Sequence, residues 1–105
     1  MKISELKDKQ GNVNLDLKII YDKTQIEEKF GKKIKSVIVA DADSQQGDPT
    51  AYLDLYNKDI EIYKFGDKIR VIDAYSKLIQ NNSGQFRIVN ASKIYRMTSF
   101  NFVTK

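Results

Sequence analysis

Ile34-Lys35-Ser36-Val37-Ile38-Val39-Ala40 is followed by Asp41-Ala42-Asp43-Ser44-Gln45-Gln46-Gly47-Asp48-Pro49 and then by Ala51-Tyr52-Leu53-Asp54-Leu55-Tyr56. The first segment is rich in β-branched residues, which pack well on a pleated surface, and it reads as a central strand. The middle segment is dense in turn-forming residues and holds the only proline of the chain. The last segment alternates apolar and polar with period two, as a half-buried strand does. Together they predict a hairpin over residues 34–56.

The pattern extends in both directions. Val13 to Ile19 alternates in the same way and reads as an earlier strand. Asp22 to Lys33 is polar, contains Gly31, and reads as a long loop or a helical turn. Lys58 to Phe65 fits a short helix or turn, closed by Gly66-Asp67. Lys68-Ile69-Arg70-Val71 alternates again and runs on to about Leu78. Gln80 to Gly84 is a turn cluster, and Gln85 to Arg96 is a fifth strand-like run. The tail from Met97 either extends the sheet or belongs to a contact, through Phe100 and Phe102. The expected fold is therefore all-β: a five-stranded OB-fold Greek-key barrel over about residues 13–96, with a short helix or turn between strands 3 and 4. An SH3-like barrel would have no use for the 58–65 piece at that place.

Composition narrows the function. The chain has 105 residues, of which 41% are hydrophobic and 30% charged, so one globular domain is expected, either whole or cut from a longer multi-barrel protein. It has no Cys, no His and no Trp. Disulfides, thiolate zinc sites and Cys nucleophiles are excluded, as are the usual general base and the commonest metal ligand. An enzyme is not expected, nor is a cofactor or a metal. Asp41-x-Asp43 begins like a calcium loop, but Gln46 and Tyr52 stand where such a loop needs Gly and Glu. No apolar run is long enough for a membrane span, and residues 1–6 lack the apolar centre of a signal peptide, so the cytoplasm is the expected location. Charge is uneven: residues 1–64 hold 11 basic and 12 acidic side chains, residues 65–105 hold 7 basic and 2 acidic. A local basic field of that kind suits a polyanion, and it equally suits a solvated surface.

Val39-Ala40-Asp41, Leu53-Asp54-Leu55-Tyr56-Asn57, Phe65-Gly66-Asp67-Lys68-Ile69-Arg70-Val71 and Ala74-Tyr75-Ser76-Lys77 occur in that order. The set resembles the OB domains of the replication protein A family, including the archaeal single-OB single-stranded DNA-binding proteins. Asp22-Lys23-Thr24-Gln25-Ile26 is similar to their loop between strands 1 and 2. Two features depart from the family. The turn from Asp41 to Pro49 is longer, and Tyr56 stands where Trp is frequent. The resemblance implies single-stranded DNA binding in replication, repair or recombination, near the chromosome, with Tyr75 as the second stacking aromatic.

Strand alternation turns Leu53 and Leu55 inward and Tyr52, Asp54 and Tyr56 outward. It likewise turns Ile69, Val71, Phe86 and Ile88 inward, with Arg70 and Arg87 outward. Unpaired bases stack on aromatic faces, and phosphates need cations. Tyr52, Tyr56, Tyr75, Arg70, Lys77 and Arg87 are thus expected to line one surface, with Lys23, Lys32 and Lys33 closing over a strand of about 4–16 nucleotides. Plain structural roles fit some of the same residues. Tyr52 can pack across strands, Arg70 and Arg87 can pair with Asp54 or Asp73, and Phe30, Tyr63 and Phe65 read as caps on the barrel ends. RNA is an alternative ligand. A docking or oligomerisation module, acting on neighbouring OB domains or a protein partner through Phe100 and Phe102, is the alternative function.

Overall fold

A computed structural model describes residues 1–79 and 85–97. A 3-10 turn at Ile3–Glu5 precedes strand β1 (Gln10–Tyr21), β2 (Ile26–Lys29), β3 (Lys32–Asp41) and β4 (Thr50–Tyr56). Helix α1 (Lys58–Ile62), β5 (Lys68–Leu78), β6 (Phe86–Val89) and β7 (Lys93–Arg96) follow. Five strands close on themselves: β1 pairs β3, β3 pairs β4, β4 pairs β6, β6 pairs β5, and β5 returns to β1. Every pair in this ring is antiparallel except β4–β6, which is parallel. This is an OB-like barrel, and closure leaves no free edge in the ring.

Period-two burial builds the core. Val13, Leu15, Leu17 and Ile19 of β1 face Val37 and Val39 of β3, Leu53 and Leu55 of β4, Ile69 and Val71 of β5 and Ile88 of β6; none is more than 2% exposed. Each such side chain contributes about 1.5–3 kcal/mol by leaving water. Ile3 and Leu6 from the N-terminal turn, and Ile60 and Tyr63 from α1 and its end, complete the cluster. Tyr63 also donates its hydroxyl to the carbonyl of Ile94, at 2.7 Å. Gly66, at φ 92°, lets its own N–H reach the Ile19 carbonyl while the Asp67 carbonyl accepts from Ile19, so this turn pins β5 to β1.

Three expectations are corrected. Residues 22–33 are neither a long loop nor a helical turn: Ile26–Lys29 forms a hairpin arm with the start of β3. All four residues of β2 are exposed, so no face is buried and no apolar alternation marks the strand. The fifth strand is two pieces along one edge of β5, with β6 on Tyr75 to Leu78 and β7 on Ile69 to Ile72. The break falls where Asn90 and Asp73 both take φ 55°, and Ser92 donates its hydroxyl to the Asp73 carboxylate at 2.8 Å. Phe30 and Phe65 do not cap the barrel ends; they stand in solvent, and of the three aromatics named for that role only Tyr63 packs. The expected turn at 80–84 and the Phe100–Phe102 tail lie outside the described residues.

Candidate nucleic-acid interface

Register assembles the outer face. Lys77 of β5 lies opposite Arg87 of β6, Arg87 beside Tyr52 of β4, Tyr52 opposite Ile38 of β3, and Ile38 opposite Tyr21 of β1. Directly paired residues share a face, so these five side chains form one row. Tyr75, opposite Val89, begins the next row, and Tyr56 lies opposite Ile34 beyond it. Tyr75 and Lys77 point outward because the β-bulge between Val71 and Ala74 flips the alternation: Ala74 and Ser76 go in after Ile69 and Val71. A second irregularity, between Ile19 and Tyr21, turns Tyr21 out. Unbroken alternation from Val13 would bury Tyr21, which is why the sequence reading missed it; it is 45% exposed.

Arg87 is the hub of this face. Its Nη1 donates to Asp54 Oδ1 at 2.7 Å and to Ser36 Oγ at 2.7 Å, and Ser36 in turn donates to Asp54 at 2.6 Å. The guanidinium carbon lies 5.4 Å from the centre of the Tyr52 ring. An acid on a face expected to bind phosphates is thereby accounted for, since Asp54 is only 8% exposed and sits as counter-ion beneath Arg87. Tyr56 is half-buried; burial first, then the Asp54 charge, pushes its phenol pKa up. Between this face and β2 runs a cleft of about 350 Å³, lined by Glu27 and Lys29 on the arm and by Ile34, Ser36, Asp54, Lys77 and Arg87 on the barrel. A larger depression, about 430 Å³, lies by Lys2, Asp16, Asp43 and Lys68; neither lining includes an aromatic residue.

The predicted cations divide. Lys77 is exposed on the cleft. Lys32 pairs with Lys29 and shares the face of Glu27, Ile34 and Tyr56. Lys33 pairs with Glu28 and points to the opposite face, with Lys35, so Lys32 and Lys33 do not share a face. Lys23 is exposed in the link between β1 and β2. Arg70 does not join the surface at all. It lies on the half of β5 that pairs with β1 and β7, and both its Nε and Nη2 donate to the Asp16 carboxylate, at 2.7 and 3.1 Å. Those bonds hold the Asp16 carboxyl below its ordinary range and raise the Arg70 pKa, to which Tyr95 adds. Arg96 is likewise tied to Asp67 at 3.0 Å. The three arginines behind the basic balance of the last two-fifths of the chain are thus each matched by an aspartate, and the unmatched charge is mostly lysine.

A scan against protein-family models finds no match to this chain, and a search of curated proteins finds none either.

Proposed function

We propose that this chain binds single-stranded DNA without catalysis, through base stacking on Tyr52, Tyr56 and Tyr75 and phosphate contacts from Lys77, Lys32, Lys23 and the free nitrogens of Arg87. The observation that carries the reading is the row Lys77–Arg87–Tyr52 beside Tyr75 and Tyr56: aromatic rings and cations on one outer face of an OB-like barrel, next to a polar cleft. OB barrels bind oligonucleotides on this region, where strands 2 and 3 of the ring meet the flanking loops. The ordered segments that resemble the replication protein A family support a role in replication, repair or recombination. One such barrel has the reach of roughly 4–16 nucleotides, and tandem copies would add affinity through effective concentration.

Fluorescence anisotropy of a labelled thymidine 20-mer, at two salt concentrations and with duplex and matched RNA competitors, tests the reading. Salt-sensitive binding that duplex does not displace is expected. Tyr56→Ala and Tyr75→Ala should each lower affinity by about 1–3 kcal/mol, or roughly 5- to 150-fold, with circular dichroism confirming the fold. If both variants bind as the parent does, the stacking face is elsewhere. If the parent does not bind at all, the barrel is a docking module for a protein partner.

A further inference from the structure

The hairpin arm ends in a two-residue turn, Phe30-Gly31, with Lys29 and Lys32 paired at its base. Both turn residues have positive φ, 52° and 76°. A two-residue hairpin turn with that signature favours Asn, Asp or Gly at its first position, because a side chain with a bulky ring is strained in the left-handed region. Phe30 stands there with its ring wholly in solvent, 102% exposed. No contact within the barrel offsets the strain, so folding gains nothing from a phenyl at this place.

The surroundings indicate what the ring is for. Residues 29–35 carry four lysines, Lys29, Lys32, Lys33 and Lys35, and no acid. Lys29, Lys32 and Ile34 share a face, and Ile34 lies opposite Tyr56, so that face of the arm runs on into the tyrosine face of the barrel. The other exposed apolar residue of the arm, Ile26, pairs with Lys35 on the opposite face. The acids of the arm, Glu27 and Glu28, lie toward its base, where Glu27 meets Lys29 at 3.4 Å, so the tip is a lone flat ring next to Lys32 and Lys33 and not part of an apolar patch. A base flanked by phosphates complements such a tip; an apolar protein or lipid surface does not.

We propose that Phe30 stacks on an unpaired base of the strand lying along β3 and β4, making the arm a finger that lengthens the stacking track beyond the barrel. The assignment rests on the single-stranded nucleic-acid reading above. Two variants of the full chain test it, with the thymidine 20-mer as probe. F30N places a favoured residue in the turn, so its thermal midpoint should equal or exceed that of the parent, while its affinity falls about tenfold. F30W keeps a ring and brings in the single tryptophan of the chain, so emission reports the tip alone, and saturation with the unlabelled 20-mer should quench it. If the parent binds and F30N binds equally well, or if F30W emission is unchanged at saturation, the finger is refuted and the tyrosine face stands. If the parent does not bind, both fall together.

Discussion

Ile69-Arg70-Val71 and Phe86-Arg87-Ile88 look alike in sequence, each an outward arginine between two inward apolar residues. In the barrel they become opposites. Arg70 lies on the rim between β1 and β7, and its side chain and that of its partner Asp16 are 45% and 47% exposed. Arg87 lies across β6 with Tyr52 below it, and its side chain and that of Asp54 are 31% and 11% exposed. The geometry of the Arg70 pair is the more regular, a two-nitrogen fork on one carboxylate. Burial outweighs geometry here. An exposed pair competes with water and contributes about 0–1 kcal/mol, whereas a half-buried one organises its neighbours and is costly to break. An outward arginine on a strand acquires its role from what the adjacent strands bring beneath it.

The largest effect that follows is on stability. Arg87→Ala leaves Asp54 nearly buried without its cation, with only the Ser36 hydroxyl still bonded to that carboxylate oxygen. A loss of roughly 2–3 kcal/mol is expected, below the range for fully buried pairs because Arg87 keeps some access to solvent. For a domain of this size that is about 8–20 °C in thermal midpoint. A shift of only a degree or two would show Asp54 to be well solvated and would erase the contrast with Arg70.

Arg70→Ala sharpens the same contrast from the other side. It should cost at most about 1 kcal/mol. Affinity for the thymidine 20-mer should stay within about twofold of the parent, because the other half of β5 carries the proposed site. A loss as large as that of Tyr75→Ala would mean that the bound strand crosses the β5–β7 side, and the site would have to be redrawn around Arg70, Lys93 and Tyr95.

Which parts of this were legible in the sequence follows from the same physics. Facing was legible wherever alternation was unbroken: Leu53 and Leu55 inward, Tyr52 and Tyr56 outward, and Arg87 outward between Phe86 and Ile88. A short helix or turn over 58–65 was legible from its closure by Gly66-Asp67, and Lys58–Ile62 is the helix. Facing was lost at each irregularity, because one inserted residue inverts every side chain after it. Tyr21 follows one such shift; Tyr75 and Lys77 follow another at Asp73, so alternation from Ile69 and Val71 would turn them inward, and their outward place was expected from the resemblance and from charge instead. The arm at 26–29 escaped detection because a strand exposed on both faces has no apolar period to show. Pairing was legible only as a choice. Alternation says that Arg87 and Asp54 both point out, but which strands are neighbours, and in what register, is a property of the closed ring. Hence the sequence offered Asp54 or Asp73 for the two arginines, and Asp16, the true partner of Arg70, was not among them.

The smallest effect is the pH dependence of that rim pair, and its sign is fixed. Arg70 holds the Asp16 carboxyl below its ordinary value, first by hydrogen bonding and then by charge, against a burial penalty. In the unfolded chain Asp16 takes up its proton near the ordinary pKa of about 3.9. The pair therefore stabilises fully above that value, loses its contribution as pH falls below it, and contributes nothing once the folded form is also protonated. Parent stability alone does not isolate this, because Asp59 acts with the opposite sign: burial raises its pKa, so folding gains as that group is protonated. The difference between parent and Asp16→Asn does isolate it, since Asp59 is common to both. At pH 7 the parent should be the more stable by less than about 1 kcal/mol, as befits a pair nearly half exposed. Urea midpoints stepped down from pH 7 should show that gap closing below about pH 4. A gap that persists unchanged into that range would mean that the Asp16 side chain stabilises through hydrogen-bond geometry that asparagine cannot copy, and that its charge toward Arg70 contributes little.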